Sequence, residues 1–162
     1  MIPAFRLAGF FAAHAIWCVS DGETLTPMLA RVGEDGTRSM DRLVMNDLAA
    51  AVASGRRGLD LNDADANDAA LVYDGRIPLG TDKIDAIIIE IRAYFSPQSE
   101  AVIAVPYAPK SSGRFRVHKP KLLQWKNCDD FDMKVVLGSF FEGVAEHEKG
   151  SSLWNASLDE SK

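Results

Sequence analysis

Residues 84–95, with the sequence IDAIIIEIRAYF, decide the fold because they carry the strongest β-strand signal in the chain. The isoleucines of this segment are β-branched, and β-branched side chains fit a pleated sheet better than a helix. Successive side chains of a strand point to opposite faces. From Ile87 onward one face is therefore wholly apolar and consists of Ile87, Ile89, Ile91, Ala93 and Phe95. We expect this face to lie in the core.

The opposite face of the same segment carries Glu90 beside Arg92. A strand that is buried on both faces normally carries no charges, so we expect this face to be partly solvated. Glu90 and Arg92 are candidate ligand-binding or partner-binding residues, and a cross-strand ion-pair network is the simpler interpretation. The sequence Ser96-Pro97-Gln98-Ser99 predicts a turn that ends the strand.

Length and composition bound the class of protein. The 162 residues predict one globular α+β domain over residues 1–150, followed by a C-terminal tail of residues 151–162. With 47% hydrophobic and 25% charged residues, the chain has an ordinary globular composition. A net charge of -5 argues against nucleic-acid binding. Two cysteines, Cys18 and Cys128, are too few for a disulfide framework, which favours a cytoplasmic location.

The N-terminal residues 1–19 are mostly apolar. A signal peptide is one interpretation, but the cluster of positive charges that normally precedes the apolar run is absent. The run is also short and interrupted for a transmembrane helix, so we expect no membrane partner. We interpret it as a buried element that enters a strand at residues 13–19. Asp21-Gly22 then predicts a hairpin turn to a second strand at residues 24–32.

Two segments have the apolar spacing of amphipathic helices. The first covers residues 40–52, with Ser39 as N-cap and Gly55 at its end, and the second covers residues 132–148 and ends at Gly150. Further strands are predicted at residues 69–73, 77–79, 100–105, 114–118 and 122–125, with a turn at Asp74-Gly75. The predicted fold is α+β, a mostly antiparallel sheet of about five to seven strands with two amphipathic helices packed on one face.

The strongest charge asymmetry lies between Ala101 and Cys128, where no acidic residue occurs. The basic residues of this stretch are Lys110, Arg114, Arg116, His118, Lys119, Lys121 and Lys126. In a strand over residues 114–118, Arg114, Arg116 and His118 would share one face. Such a concentration of charge can bind a phosphate-bearing ligand or an acidic protein, although a solvated surface is the alternative. We take Arg114, Arg116, His118 and Lys119 as candidate binding residues.

Motifs for catalysis are weak. Asp85, Glu90 and Arg92 loosely resemble the two-carboxylate and lysine metal site of many nucleases, but arginine cannot replace the lysine as a proton carrier. Asp85 also lies on the opposite strand face from Glu90. His14 and Cys18 could form a base and nucleophile, yet no known nucleophile signature surrounds them. No spacing suits zinc or a phosphate-binding glycine loop, so we expect no metal and no cofactor.

The sequence therefore predicts a non-enzymatic binding or self-association module that uses a basic hairpin at residues 110–121. We expect a homodimer, because the chain has several antiparallel strands without a recognisable motif and an apolar C-terminal segment that can form a subunit contact. The alternative is a small hydrolase or nuclease-like enzyme with Glu90 as its acid, base or metal ligand. A deep pocket beside Glu90 and a raised carboxylate pKa would favour the enzyme.

Overall fold

The computed structural model describes residues 1–95 and 97–162, and within them the chain forms four α-helices and a seven-stranded antiparallel sheet. The strands are β1 Met28–Val32, β2 Arg38–Arg42, β3 Asp68–Leu79, β4 Asp82–Ala93, β5 Ser99–Ala108, β6 Arg116–Val117 and β7 Lys121–Lys126. The helices are α1 Ile2–Val19, α2 Leu48–Leu61, α3 Met133–Glu146 and α4 Glu148–Ala156, with a short 3-10 helix at Lys110–Ser112. The predicted α+β class and antiparallel sheet are confirmed.

The predicted central segment is β4, which pairs with β3 on one side and β5 on the other. Ile89 lies opposite Val72 of β3 and Ile103 of β5. The strand order is β2-β1-β3-β4-β5, and the outer edge of β5 is shared by β6 and β7. β7 pairs with the first half of β5 and β6 pairs with its last two residues. This arrangement leaves β6 beside the end of the long β3–β4 hairpin.

The isoleucine face of β4 is core, as predicted. Ile87, Ile89, Ile91 and Ala93 are fully buried. The alternation also predicts Phe95 on this face, but Phe95 lies beyond the last residue of β4 and 48% of it is exposed. The predicted turn that follows includes Ser96, which lies outside the described residues.

Residues 2–19 form one helix, so the predicted strand at residues 13–19 and its hairpin are wrong. Alanine is the best helix former and recurs throughout this segment. Eleven of the 18 residues of α1 are buried, because the helix lies between the sheet and the pair α3 and α4. Its length and composition would suit a membrane span, as those of core helices and signal sequences also do, and 61% of it is buried inside the fold. Gly22, with φ of +94°, makes the turn that follows the helix.

Two glycines allow α1 and α3 to pack with their backbones in contact. A Cβ atom on Gly143 of α3 would lie 1.9 Å from the backbone oxygen of Arg6. A Cβ atom on Gly9 of α1 would lie 1.8 Å from the backbone oxygen of Phe140. Any side chain at either position would force the two helices apart.

The predicted first helix is wrong at both ends. Residues 38–42 form the edge strand β2, and α2 begins only after Asp47, whose carboxylate accepts a hydrogen bond from Ala50 N at 3.0 Å. Gly55 lies inside α2 against Leu71 rather than at its end. α2 packs on the Glu90 face of the sheet, opposite α1 and α3, so the placement of both helices on one face is not confirmed.

The C-terminal half follows the prediction more closely. β3 continues straight through Asp74-Gly75, where a turn was expected, and the chain turns at Gly80 with φ of +65°. α3 confirms the predicted second helix, with Asp132 as its N-cap. Gly150 does not end this helix but lies in α4, which places Trp154 in the core with 2% of its surface exposed.

Candidate functional site

Glu90 pairs with α2 rather than with Arg92. Its carboxylate oxygens accept hydrogen bonds from Arg56 Nε at 3.0 Å and Arg56 Nη2 at 2.6 Å. Tyr73 Oη donates a third bond at 2.7 Å. Glu90 is only 6% exposed, so the expected partly solvated face is in fact covered at this point. The network fastens α2 to β3 and β4.

The ionisation of Glu90 also differs from that of a catalytic acid. Burial by itself raises the pKa of its carboxyl, but the hydrogen bonds from Arg56 and Tyr73 outweigh burial and hold the pKa below its usual value. Burial and the bond to Glu90 raise the pKa of Tyr73 to about 12. None of the five cavities described for residues 1–95 and 97–162 is lined by Glu90. The raised carboxylate pKa that would favour the enzyme alternative is therefore not found at this residue.

Arg92 belongs to a separate ion-pair cluster on the same face. Its Nε lies 3.3 Å from Glu100 Oε1 and its Nη2 lies 3.4 Å from Asp60 Oδ1. Lys126 of β7 approaches the other oxygen of Glu100 at 3.7 Å. Arg92 is 8% exposed and connects α2, β4 and β5. We therefore assign Glu90 and Arg92 to two structural networks that hold the layers together.

The structure separates the candidate basic residues. Arg114 is exposed before β6, Arg116 is partly buried, and His118 is 2% exposed. β6 is only two residues long, so Arg114 lies outside the strand, whereas the backbone N–H of His118 bonds to Pro106 O at 2.8 Å and continues the register of β6 with β5. Lys119 is exposed and lines a different cavity, beside Trp154.

Arg116 and His118 line a cavity of about 260 Å³ at the end of the β3–β4 hairpin, which we call the basic cavity. Its lining consists of Lys83, Ile84, Asp85, Tyr107, Ala108, Pro109, Ser112, Arg116, His118 and Lys162. Three of these residues carry a fixed positive charge, one is a histidine, and one is an acid. Lys83, Tyr107 and Lys162 were missed by the sequence analysis. Lys83 could have been found from the strand register, since Ala86 pairs with Pro106 and so places residues 83–85 beside residues 107–109.

The acidic groups at the basic cavity are already engaged. Asp85 lies 3.7 Å from Arg76 Nε. Asp74 accepts the hydroxyl proton of Tyr107 at 2.9 Å, and burial and this aspartate both raise the pKa of Tyr107, so the phenol stays protonated. Lys83 and Lys162 form no ion pair with any residue that the structure describes. Arg116 is paired with the Asp159 carboxylate at 3.6 Å, so the two lysines carry the positive charge of the cavity that no described ion pair compensates.

His118 is held in a defined tautomer. Its Nδ1 lies 2.9 Å from the backbone oxygen of Asp159, and a carbonyl oxygen can only accept, so Nδ1 carries a proton. Nε2 is then an acceptor in the neutral ring and becomes a donor when the ring is protonated. Arg116 Nε is buried and has no hydrogen-bond partner among the described residues.

The segment after α4 holds β6 in place. Val117 N donates to Ser157 O at 2.8 Å, and Asp159 N donates back to Val117 O at 2.8 Å. The Asp159 carboxylate lies 3.6 Å from Arg116 Nη1. Residues 157–159 thus act as a short additional strand that positions Arg116 and His118.

The candidate nucleophile pair is close in sequence but not bonded. His14 and Cys18 lie one turn apart on α1 and line a cavity of about 210 Å³. Burial raises the pKa of the Cys18 thiol, and Arg42 offsets this only in part. Burial likewise raises the pKa of Cys128, whose Sγ donates to Lys126 O at 3.0 Å. Neither environment favours a thiolate at neutral pH.

Comparison of the chain with protein-family models, with curated proteins and with solved structures finds no match.

Proposed function

We propose that the protein is a binding module whose basic cavity takes a small anionic ligand that carries a phosphate or a similar group. The observation that carries the proposal is the convergence of Lys83, Arg116, Lys162 and His118 on one concave site. These residues come from three separate segments of the chain, so the convergence is a property of the fold. It replaces the extended basic hairpin that the sequence alone favours.

The chemistry of the lining supports an anion. Arginine presents N–H groups in a planar fork that matches phosphate oxygens, and lysine contributes a flexible point charge. A cavity of about 260 Å³ is near the lower limit for small-molecule sites, which suits a phosphate with a small body attached.

Hydroxyl groups at the cavity support binding over catalysis. Tyr107 donates to Asp74, and Ser112 Oγ donates to Pro109 O at 2.8 Å. Tyr107 stays protonated in its bond to Asp74, because burial and this carboxylate raise its pKa, and Ser112 donates to a backbone carbonyl rather than to a base that would activate it as a nucleophile. Non-enzymatic binding is therefore the function that we favour.

Isothermal titration with inorganic phosphate at pH 7.5 tests the proposal. We expect saturable binding to the unaltered protein and a loss of affinity of about tenfold in Lys83→Gln and in Arg116→Gln, since each removes one charge-assisted contact. Arg114→Gln is the matched control because Arg114 is exposed, belongs to the same basic stretch and does not line the cavity. Absence of binding, or equal losses in Arg114→Gln and Lys83→Gln, would contradict the proposal.

Self-association is a second candidate because β7 pairs only with β5 among the described strands, which leaves its other edge open. Leu122 and Leu123 of this strand are 37% and 51% exposed. An open edge with apolar side chains can pair with the same edge of a second copy. Light scattering of the eluted protein tests this: a dimer that dissociates in Leu123→Lys supports it, and a monomer at all concentrations contradicts it.

A further inference from the structure

Two histidines form a hydrogen-bonded chain where α1 meets the start of α4. His14 Nδ1 lies 3.0 Å from His147 Nε2. His147 Nδ1 accepts a hydrogen bond from Gly150 N at 2.9 Å and so caps the N-terminus of α4. His147 also ends α3, where its N–H bonds to Val144 O at 3.2 Å. His147 therefore links α3 through its backbone N–H and links α1 and α4 through its ring.

The donor and the acceptor of the hydrogen bond between the two histidines follow from the bond that Gly150 N–H donates to His147. Gly150 N–H can only donate, so His147 Nδ1 has no proton and His147 Nε2 must carry it. His147 then donates to His14 Nδ1, and the remaining proton of a neutral His14 is on Nε2. An additional proton could go only to Nδ1 of His14 or to Nδ1 of His147. Either position would break one of the two hydrogen bonds.

The surroundings of the pair also oppose a positive charge. The charged and titratable groups near it are Cys18 and Glu23 at its cavity, Arg38 and Arg42 on β2, Glu146 on α3 and Lys149 on α4. Glu146 is engaged by Arg6 and Arg38. Burial lowers the pKa of both histidines, and the neighbouring His147 and Arg42 lower that of His14 further. Both rings are therefore neutral at pH 7.5.

The capped helix leads directly to the basic cavity. α4 ends at Ala156. In the residues that follow, Ser157 O accepts a hydrogen bond from Val117 N, and Asp159 N donates one to Val117 O. Asp159 also holds the ring of His118 and the guanidinium of Arg116. Displacement of α4 would therefore remove the support of two cavity residues.

We propose that the His14–His147 pair makes anion binding at the basic cavity sensitive to pH: uptake of a proton at Nδ1 of His147 uncaps α4, loosens residues 157–159 and releases the ligand. This inference rests on the proposed anion site and adds its regulation. Anion binding requires α4 to be docked, whereas protonation of the histidine pair favours the state in which α4 is undocked. Proton uptake therefore lowers the affinity for the anion, and anion binding lowers the affinity for the proton.

The direction in which the anion affinity changes with pH distinguishes protonation of the His14–His147 pair from protonation of a group in the cavity. A proton taken up by a group of the cavity itself would add positive charge and strengthen anion binding. Proton uptake by the His14–His147 pair would weaken it. Sulfate is the appropriate probe, because its charge does not change between pH 5.5 and 7.5.

The experiment measures the sulfate affinity by isothermal titration at both pH values, together with the indole N–H signal of Trp154 in an NMR spectrum. Trp154 belongs to α4, and its side chain is buried against Phe140 of α3, so its signal reports the docking of α4 without any ligand. Loss of a helix cap corresponds to a factor of about 2 to 30, so we expect sulfate to bind roughly fivefold more weakly at pH 5.5, with a shifted Trp154 signal. In His147→Asn the affinity should be the same at both pH values, because asparagine caps helices but does not titrate.

The outcomes are distinct. Unchanged or stronger sulfate binding at pH 5.5 with an unchanged Trp154 signal overturns the switch and leaves the anion site intact. Equal pH dependence in the unaltered protein and in His147→Asn assigns the effect to other groups and also overturns it. Failure of sulfate to bind at pH 7.5 overturns the anion site, and its regulation with it.

Discussion

Replacing Arg56 with alanine should destabilise the fold strongly, because it leaves the Glu90 carboxylate buried with one hydrogen bond instead of three. The Glu90 side chain is 8% exposed, whereas that of Arg56 is 47% exposed. Breaking a buried ion pair costs about 3–5 kcal/mol, and solvent around Arg56 reduces this, so we expect a loss of about 2 kcal/mol. At a typical denaturant dependence, this lowers the urea midpoint by about 1 M.

Arg57→Ala provides the matched control, since Arg57 is the next residue of α2, is exposed and forms no ion pair with any described residue. It should change the free energy of unfolding by less than about 0.5 kcal/mol. The hydrogen bonds hold the pKa of Glu90 below its ordinary value of 4.5, so the pair contributes stability above that pH and loses it as the pH falls further. The difference between Arg56→Ala and the unaltered protein should therefore shrink below pH 4.5. Equal stabilities of the Arg56→Ala and Arg57→Ala variants at pH 7.5 would refute the structural role of the Glu90 network.

Three further predictions concern the helices and the thiols. Gly143→Ala should lower the free energy of unfolding by about 3 kcal/mol or more in thermal unfolding, because its Cβ would lie 1.9 Å from a backbone oxygen of α1. Gly138→Ala, whose Cβ would have no atom within 4 Å, should raise it by about 1 kcal/mol. Similar effects of the two substitutions would contradict the close contact between α1 and α3. The free energy of unfolding should fall as the pH drops from 7 to 5, because burial lowers the pKa of His147 from its ordinary 6.5 and the unfolded chain binds the proton first. Urea titrations should show a smaller fall in His147→Asn, and an equal fall would count against this assignment. Cys18 should react slowly with a disulfide reagent in the folded protein and Cys128 only after unfolding, since Cys128 is fully buried; equal rates under native conditions would argue otherwise.

The parts of the fold that follow from the sequence are those with a regular pattern on one element. β4 shows alternation with an apolar face, and α3 shows an apolar stripe after an aspartate cap. α1 has no such period, because the sheet covers one side and α3 with α4 cover another, so its apolar residues point in all directions. Without the period, the β-branched and aromatic residues near its end resembled a strand.

The candidate site could be predicted only in part, because it is assembled from distant segments. Arg116 and His118 can be predicted as candidates because no acidic residue occurs near them in the sequence. The other basic residues of the cavity, Lys83 and Lys162, come from the start of β4 and from the C-terminal end, far away in the sequence. Glu90 gave the opposite error. A charged residue on a strand face can belong to a functional site, so the sequence favours Glu90 as a candidate. Only the three-dimensional position of Arg56 on α2 shows that Glu90 belongs to an ion pair that holds α2 on the sheet.

The central claim is that the basic cavity, and not the exposed hairpin, binds an anion. A titration with inorganic phosphate, followed residue by residue in ¹⁵N-resolved NMR spectra, tests it most directly. We predict saturable shifts of the backbone signals at residues 83–85, 107–109 and 116–118, with no change at Glu90 or Arg114. Shifts confined to the neighbourhood of Arg114, or an absence of saturable shifts, would contradict it.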